Sequence, residues 1–583
     1  MDKAKNILSL NANEAFDFFM KAERYYTFEL PEYFDFQPVL DFVKERVGSA
    51  DYDASIASDP CDTAGVNLDI LLNKDGKYAI RPLAIVNPYL YYFLVRDITL
   101  EHNWSIIQSC FNKFNNPHIS ACAIPVIPAE KESFHSSTTI LNWWNSMEQR
   151  SVELSLEYRY MFVSDITNCY GSINPLDIDR ALTMKGTKSA SSERHGLAAQ
   201  IVGYLQAFQG GRNVGIPQGS EIFNLLAEII LGYADLLLAE EIDKDAEITH
   251  SYEVLRYRDD YRIFSDDKDE LERISYILQR ILRDLNFQMN SKKTMVSDSI
   301  ITDSIKQDKQ FYIFNTPIYK RRRIFKIEKD MDGNDNIVSS IEKDCDFNGL
   351  QKNLLFILLF GRKYPNSGQI RTQLNEFDAR LTKIIDTNKD TQSTFVWEDV
   401  DLGDNYVTKS GDLKNNANYE SDGNVFGNLK TRHYRPIRES IRPMAAIATQ
   451  IAIENITAAH YALRVISRLV NTFEDDDSEK KDIICKVCSK LRNQHNTTYL
   501  EVWLQNMTYN SDKLKDEFHY SQPLCRLVMG ENVQLWNNSW LNSELSDDLP
   551  LVEICNKEKL DSLAPVITFR ETRAYYDSFP TEL

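Results

Sequence analysis

The sequence predicts an α+β fold: an antiparallel sheet with helices over one face, continued by a mostly α-helical C-terminal region. Two observations carry this. The middle third reads strand, helix, hairpin, helix, strand, the order in which helices segregate to one side of an antiparallel sheet. From about Asn348 onward helical patterns dominate. The chain has 583 residues and is 43% hydrophobic, enough for two to four domains with cores of their own.

Residues 1 to about 50 read as amphipathic helices broken at "LPEYFDF". "KYAIRPLAIVNP" (Lys77 to Pro88) alternates as a strand does and stops at a proline. "RYMFVSDI" (Arg159 to Ile166) is rich in β-formers and ends in the turn-rich "TNCYGSINP". After a Gly-Ile-Pro-Gln-Gly loop, Phe223, Leu226, Ala227, Ile230, Leu231 and Ala234 fit one face of a helix. "EVLRYR" and "YRIFS" read as two short strands flanking Asp259-Asp260. Leu271, Ile274, Leu278, Ile281, Leu282 and Leu285 then recur at helical spacing. "FYIFNTPIYKRRRIFKIEKDMDGNDNIVSSIEKD" reads as strands joined by an Asp-Gly turn near Gly333. Met444 to Phe473 reads as helix, and roughly Asp399 to Lys430 as a long polar loop.

Net charge is −20, so the long-range basic field that grips duplex nucleic acid non-specifically is absent, and nucleic-acid contact requires local basic patches. Nine scattered cysteines show no disulfide framework and point to a reducing compartment. The N-terminus has no signal-peptide core, and "LLFILLF" (Leu354 to Phe360) is far shorter than the ~20 residues of a membrane span. The expectation is a cytoplasmic protein with no membrane partner. "CKVC" (Cys485, Cys488) near His495 lacks a second ligand pair for zinc, and its helical surroundings favour buried cysteines.

The chemistry-bearing residues are acidic. Nucleotidyl transfer uses two divalent cations about 3.5–4 Å apart, and hard cations take carboxylate oxygens. Asp259 and Asp260 sit at a predicted hairpin tip. Adjacent strand residues point to opposite faces, so a further carboxylate must come from another segment, and Asp165 at a predicted strand end is the candidate.

At this point a resemblance becomes specific. "DITNCY" resembles motif A of reverse transcriptases, "GIPQGS" motif B, "YRDD" the Tyr-x-Asp-Asp motif C, and "LNFQMNSKKT" the Asn-x-x-Lys-Thr motif D. "KYAIRPLAIVNP" resembles the fingers motif of retron and intron-type enzymes. Each motif alone is weak, whereas five in the family's order, from Lys77 to Phe314, are specific. The resemblance implies a right-hand polymerase palm and fingers. Residues 1–135 would be an N-terminal extension and fingers, 136–305 the palm, and 306–347 a β-hairpin at the primer grip or thumb. Residues 348–583 would be an α-helical domain of stacked, repeat-like helix pairs.

It also implies roles. Asp165, Asp259 and Asp260 would be catalytic and hold two Mg²⁺ or Mn²⁺ ions, with the Ile166 carbonyl joining the shell. Tyr170 would be the aromatic gate that collides with a ribose 2′-hydroxyl. Gln218 would line the incoming sugar, and Gly219 would let the backbone approach it. Arg81 and Lys77 would hold the triphosphate, Lys74 being the alternative to Lys77. Lys293 would serve the pyrophosphate leaving group. Arg321, Arg322 and Arg323 (beside Lys320) would contact template and primer. Arg258, at the x position where family members carry a small or apolar residue, would meet the primer end. For each, the bland alternative is a solvated or core side chain.

The layout, with "YYTFELPEYFDF" (Tyr25 to Phe36), is similar to bacterial abortive-infection and other defence-associated reverse transcriptases of the "unknown group" lineage. That likeness implies an antiphage DNA polymerase using dNTPs and an RNA template or companion non-coding RNA. Its DNA product would in some relatives be primed from a protein tyrosine, and some relatives form homo-oligomers. Tyr25, Tyr26 and Tyr33 are priming candidates by position alone. The competing readings are a catalytically vestigial RNA-binding scaffold or phage sensor, and an RNA polymerase.

Overall fold

The computed structural model describes residues 5–74, 79–127, 139, 142–184, 192–315, 321–329, 335–343, 347–387, 393–399, 405–408, 413–415, 425–426, 430–436, 438–474, 477–509, 511–545 and 549–561. Its centre is a five-stranded sheet in the order β3-β5-β6-β4-β7, made of β3 (Ile119–Ala121), β4 (Tyr160–Asp165), β5 (Tyr252–Tyr257), β6 (Asp260–Ser265) and β7 (Met295–Ser297). All pairings are antiparallel except β3 with β5, which is parallel. A two-stranded hairpin of β1 (Leu68–Asn73) and β2 (Ile80–Ile85) stands apart from it. β1 was not foreseen.

Helices α1 (Pro88–Ile98), α2 (Glu101–Phe114), α3 (Ser192–Phe208), α4 (Glu221–Asp243) and α5 (Lys268–Asp284) surround the sheet. α4 and α5 were expected. α4 differs in one respect: from Glu221 to Asp235 every residue is buried, so it is an all-round core helix and not one with a single apolar face. It is also the one described helix long and apolar enough to cross a bilayer, and its burial inside the fold accounts for that composition. α5 starts where Asp267 Oδ1 accepts the N–H groups of Asp269 and Glu270, an N-cap that places the second Asp-Asp pair, Asp266-Asp267, in a helix entry.

The sheet is not bare on its second face. Met147, Leu154, Met161, Leu255, Phe264 and Ile300 form a small core there, under the helical segments Trp144–Leu154 and Ile300–Ser304. The expected one-sided arrangement is therefore corrected: alternate residues of β4–β6 are apolar on both faces, so both need cover.

Beyond the sheet, "FYIFN" is helical (within Gln307–Asn315) and not a strand. β8 (Arg321–Lys329) and β9 (Asp335–Lys343) form the expected hairpin, its turn at Gly333 lying outside the described residues. The C-terminal region holds α6 (Phe347–Lys363), α7 (Gly368–Thr387), α8 (Arg438–Glu454), α9 (Ala459–Val470), α10 (Ser478–Arg492) and α11 (Thr498–Thr508). The predicted helix at Met444–Phe473 is thus two, broken at Asn455. The polar stretch around Asp399–Lys430 contains short strands, and Ser393–Asp399 pairs with Lys430–Pro436. Cys488 on α10 is buried in the core.

One apolar core runs from Ile7 to Leu560. The last described segment returns to the N-terminal elements. Trp536 Nε1 donates to the Ile85 carbonyl at 2.9 Å, Asn87 Nδ2 to Asn538 Oδ1 at 2.7 Å, and Tyr89 OH to the Leu545 carbonyl at 3.0 Å. Tyr25 and Tyr33, two of the priming candidates, are buried in this core.

Candidate active site

The β4–β6 ladder pairs Asp165 with Asp260, and the β5–β6 hairpin pairs Tyr257 with Asp260. Cross-strand partners project to the same side, so two carboxylates from distant segments meet there. Between the strands, Arg258 and Asp259 make the turn, with Arg258 at φ +55°. The Ile166 N–H donates to the Asp259 carbonyl at 2.9 Å and locks the turn to the end of β4.

The segment after α5 closes the other side. Asn290 N–H donates to the Asp165 carbonyl at 2.8 Å, and the Ser164 and Thr294 hydroxyls bond at 2.8 Å. This places Lys293, whose ammonium bonds Asp165 Oδ2. Burial works against that charge, but the bond to Asp165 prevails and raises the lysine's pKa. Burial and then the nearby Asp165 push Asp259 above the usual carboxylate range, its own backbone N–H and Arg258 opposing. Burial and the adjacent Asp259 raise Asp260 to about 6.

Among the described residues, no three His, Cys, Asp or Glu side chains stand close enough to hold an ion as placed. The donor set nevertheless suits a hard divalent cation. Asp165 Oδ1 is buried with no hydrogen-bond partner, and the neighbouring carboxylates repel one another.

The loop before α4 lines the same region. Gly215 N–H donates to the Ile173 carbonyl at 2.6 Å, and Ile216 N–H to the Tyr170 carbonyl at 2.9 Å. The Gln218 carbonyl accepts the Ala84 N–H at 3.0 Å, and the Gly219 carbonyl accepts the Thr27 N–H at 2.8 Å. Gly219 has φ +122°, and a Cβ there would lie 3.1 Å from the Phe28 ring and 3.2 Å from the Ala84 carbonyl. Glycine is needed on both counts. Tyr170 OH donates to Asn224 Oδ1 at 2.5 Å.

Arg81, on β2, is exposed at its surface. Partial burial, then Arg371 and Arg258, lower its pKa, while Asp259 opposes them. Lys77 lies outside the described residues, as do the side chains of Arg321, Arg322 and Arg323 on β8. Lys74 is exposed just after β1.

The three arginines of "LRYRDDYRIF" have three different environments. Arg256 is fully buried and bridges β5 to α4, its Nη1 3.0 Å from both Glu228 oxygens and its Nε 2.8 Å from Asp235 Oδ2. Arg262 is buried on the opposite face, donating to Ser151 Oγ at 2.7 Å and the Ser304 carbonyl at 3.0 Å. Arg258 lies 5.8 Å from the centre of the Tyr257 ring, with its Nε unpartnered. The sequence reading assigned a role to Arg258 alone and gave none to Arg256 or Arg262. Glu228 and Asp235, seven apart in the apolar middle of α4, were the readable signal of a buried cation.

Also unforeseen is a junction between the N-terminal segment and the C-terminal helices. Glu29 bonds His460 Nε2, accepts from Tyr461 OH at 2.9 Å, and offers its backbone carbonyl to Tyr499 OH at 2.7 Å. Thr27, bonded to Gly219, is two residues away, so the junction touches the loop that lines the site.

Comparisons with known proteins agree with this geometry in one respect. Residues 105–313 match the family "Reverse transcriptase (RNA-dependent DNA polymerase)". No curated protein matches the chain. Among solved structures, the chain is similar to apo telomerase from Candida tropicalis truncated of its C-terminal domain. The identity is 12%, with 42% of this chain and 51% of that one covered and a TM-score of 0.26. It is similar to telomerase from Candida albicans in complex with a fragment of telomeric RNA at 11% identity, covering 73% and 66%, with a TM-score of 0.25. The chain thus spans about half the length of the first of these. The four elements β4, α4, β5 and β6 and the carboxylates they carry all fall inside the span, residues 105–313, that matches the reverse transcriptase domain.

Proposed function

We propose that this protein is a DNA polymerase, RNA-directed or template-independent, that acts in bacterial antiphage defence in the cytoplasm. The observation that carries the polymerase reading is the cross-strand pair Asp165–Asp260 with Asp259 in the adjoining turn. A fold gains nothing by burying like charges opposite one another, so their placement is best understood as service to a cation. The defence role rests on the resemblance in layout described above.

Asp165, Asp259 and Asp260, with the Ile166 carbonyl, would hold Mg²⁺ or Mn²⁺. Two such ions, when bound, supply charge stabilisation to the attacking and leaving oxygens of a phosphoryl transfer. Lys293 turns from Asp165 to the diphosphate leaving group, as an ammonium that can neutralise or protonate it. Arg81, and Lys77 beside it in sequence, draw the triphosphate by charge, Arg through its planar fork. Gln218 and Gly219 form the floor under the sugar, and the Tyr170 ring excludes a 2′-hydroxyl. Arg258 neutralises charge beside the turn, where the primer-terminal phosphate would lie. Arg321, Arg322 and Arg323 on β8 would follow the template-primer backbone.

The test is incorporation of labelled dNTPs by the purified protein with Mg²⁺ or Mn²⁺, together with its co-purifying nucleic acid. Sequencing that nucleic acid reports a bound RNA and a DNA product together. Incorporation of dNTPs in preference to rNTPs is expected. A preference for rNTPs would make it an RNA polymerase. Phage protection that persists in an Asp259→Ala, Asp260→Ala variant would make it a scaffold or sensor.

A further inference from the structure

We infer that Asn224 is a positioning residue that sets the choice between deoxyribo- and ribonucleotides by pinning the Tyr170 ring. The inference rests on the polymerase reading above and deepens it: that reading assigns the gate to Tyr170 and leaves open what holds the ring in place.

The tyrosine is tied to the loop and helix that follow it in sequence at both ends. Its carbonyl accepts the Ile216 N–H at 2.9 Å, and its hydroxyl donates to Asn224 Oδ1 at 2.5 Å. Asn224 is itself buried, in the first turn of α4, five residues beyond Gly219. The chain around Tyr170 is equally constrained. Asn168 takes φ +49°, and Gly171 closes so tightly that a Cβ there would lie 2.4 Å from the Asn168 side chain. Backbone and ring tip are therefore fixed to the segment carrying Gln218 and Gly219. An aromatic ring excludes a hydroxyl only while it cannot turn aside. With the tip released, the remaining constraint is apolar packing, which is non-directional and lets the ring shift. The neighbouring Arg258 charge favours the phenol's oxygen but supplies no acceptor for its proton. Among the described residues, the Asn224 amide oxygen is the acceptor that gives the hydroxyl its direction.

The experiment compares dNTP and rNTP, both as kcat/KM and as Kd from competition against a fluorescent dNTP, for wild type, Asn224→Ala, Asn224→Asp, Tyr170→Phe and Tyr170→Ala. The dNTP-to-rNTP ratio is expected to fall about tenfold in Asn224→Ala, the worth of one neutral hydrogen bond, through tighter ribonucleotide binding. Tyr170→Phe, which keeps the ring and loses the tip, should give the same ratio. Asn224→Asp keeps an acceptor and should hold the wild-type ratio. A wild-type ratio in Asn224→Ala, with discrimination lost in Tyr170→Ala, would overturn the inference and leave the gate standing. Unchanged discrimination in Tyr170→Ala would overturn the gate and the inference with it. An Asn224→Ala protein that loses thermal stability and binds both nucleotides equally more weakly would make Asn224 a scaffold residue, also against the inference.

Discussion

Asp165 and Asp260 face each other across the β4–β6 ladder, two acidic side chains on one side of an antiparallel pair. Like charges directly opposite destabilise a sheet, and here Lys293 bonds one of them. Under the proposed function, a divalent cation would complete the arrangement.

Lys293 is more than half exposed, so its bond to Asp165 adds little to folding, about 0–1 kcal/mol after solvent screening. Lys293→Ala should leave the melting temperature nearly unchanged. Its single-turnover rate should fall about 100-fold or more, within the range of general acid catalysis, with KM for dNTP little altered. Rapid-quench kinetics check this.

Gly219→Ala places a side chain at φ +122° against Phe28 and the Ala84 carbonyl. Backbone strain of this kind costs about 1–3 kcal/mol. The variant should melt earlier and lose dNTP affinity, because Gln218 and the bond to Thr27 move with the backbone. Denaturant titration and nucleotide titration report the two effects separately.

Arg256 should prove structural. Arg256→Ala leaves Glu228 and Asp235 buried without their cation, a loss of about 3–5 kcal/mol. Replacing Arg256, Glu228 and Asp235 together with Leu or Met should recover much of that stability. Chemical denaturation of the two variants is the measurement.

The Glu29 junction predicts an acid-sensitive contact. His460, Arg371 and Tyr461 overcome burial and hold the Glu29 carboxyl at about 2, below its ordinary 4.5. A depressed folded-state pKa contributes stability that is present above 4.5 and lost as pH falls from there toward 2. Burial also lowers His460, so charging it below 6.5 works in the same direction. Glu29→Gln should melt lower than wild type at neutral pH and show a flatter acid limb. Thermal melts from pH 7 down to acid check the sign.

The elements of the central sheet and α5 were legible because each carries a local signal: β-formers ending at Asp165, a strand-turn-strand around Arg258-Asp259, and 3.6-residue periodicity from Leu271 to Leu285. What escaped was set by tertiary contact. β1 pairs with β2 yet looks unremarkable alone. "FYIFN" has strand-like composition, but Phe311 packs against Phe356, Phe360 and Tyr364 of the α6 region, and that packing favours helix. The return of Trp536 and Asn538 to the N-terminal elements spans hundreds of residues, and no local pattern encodes it. For the site, Asp165, Asp259 and Asp260 were readable as a set. The separate environments of Arg256, Arg258 and Arg262 were not, because alternation along a strand does not say which face meets buried carboxylates.

The most direct measurement is dNTP incorporation by wild type and by Asp259→Ala, Asp260→Ala at equal concentration, with circular dichroism and a thermal melt on both. The expected result is incorporation lost in the variant, with an unchanged spectrum and a melting temperature equal to or above wild type, since two carboxylates strained by burial are gone. Undiminished incorporation by the folded variant would contradict the account.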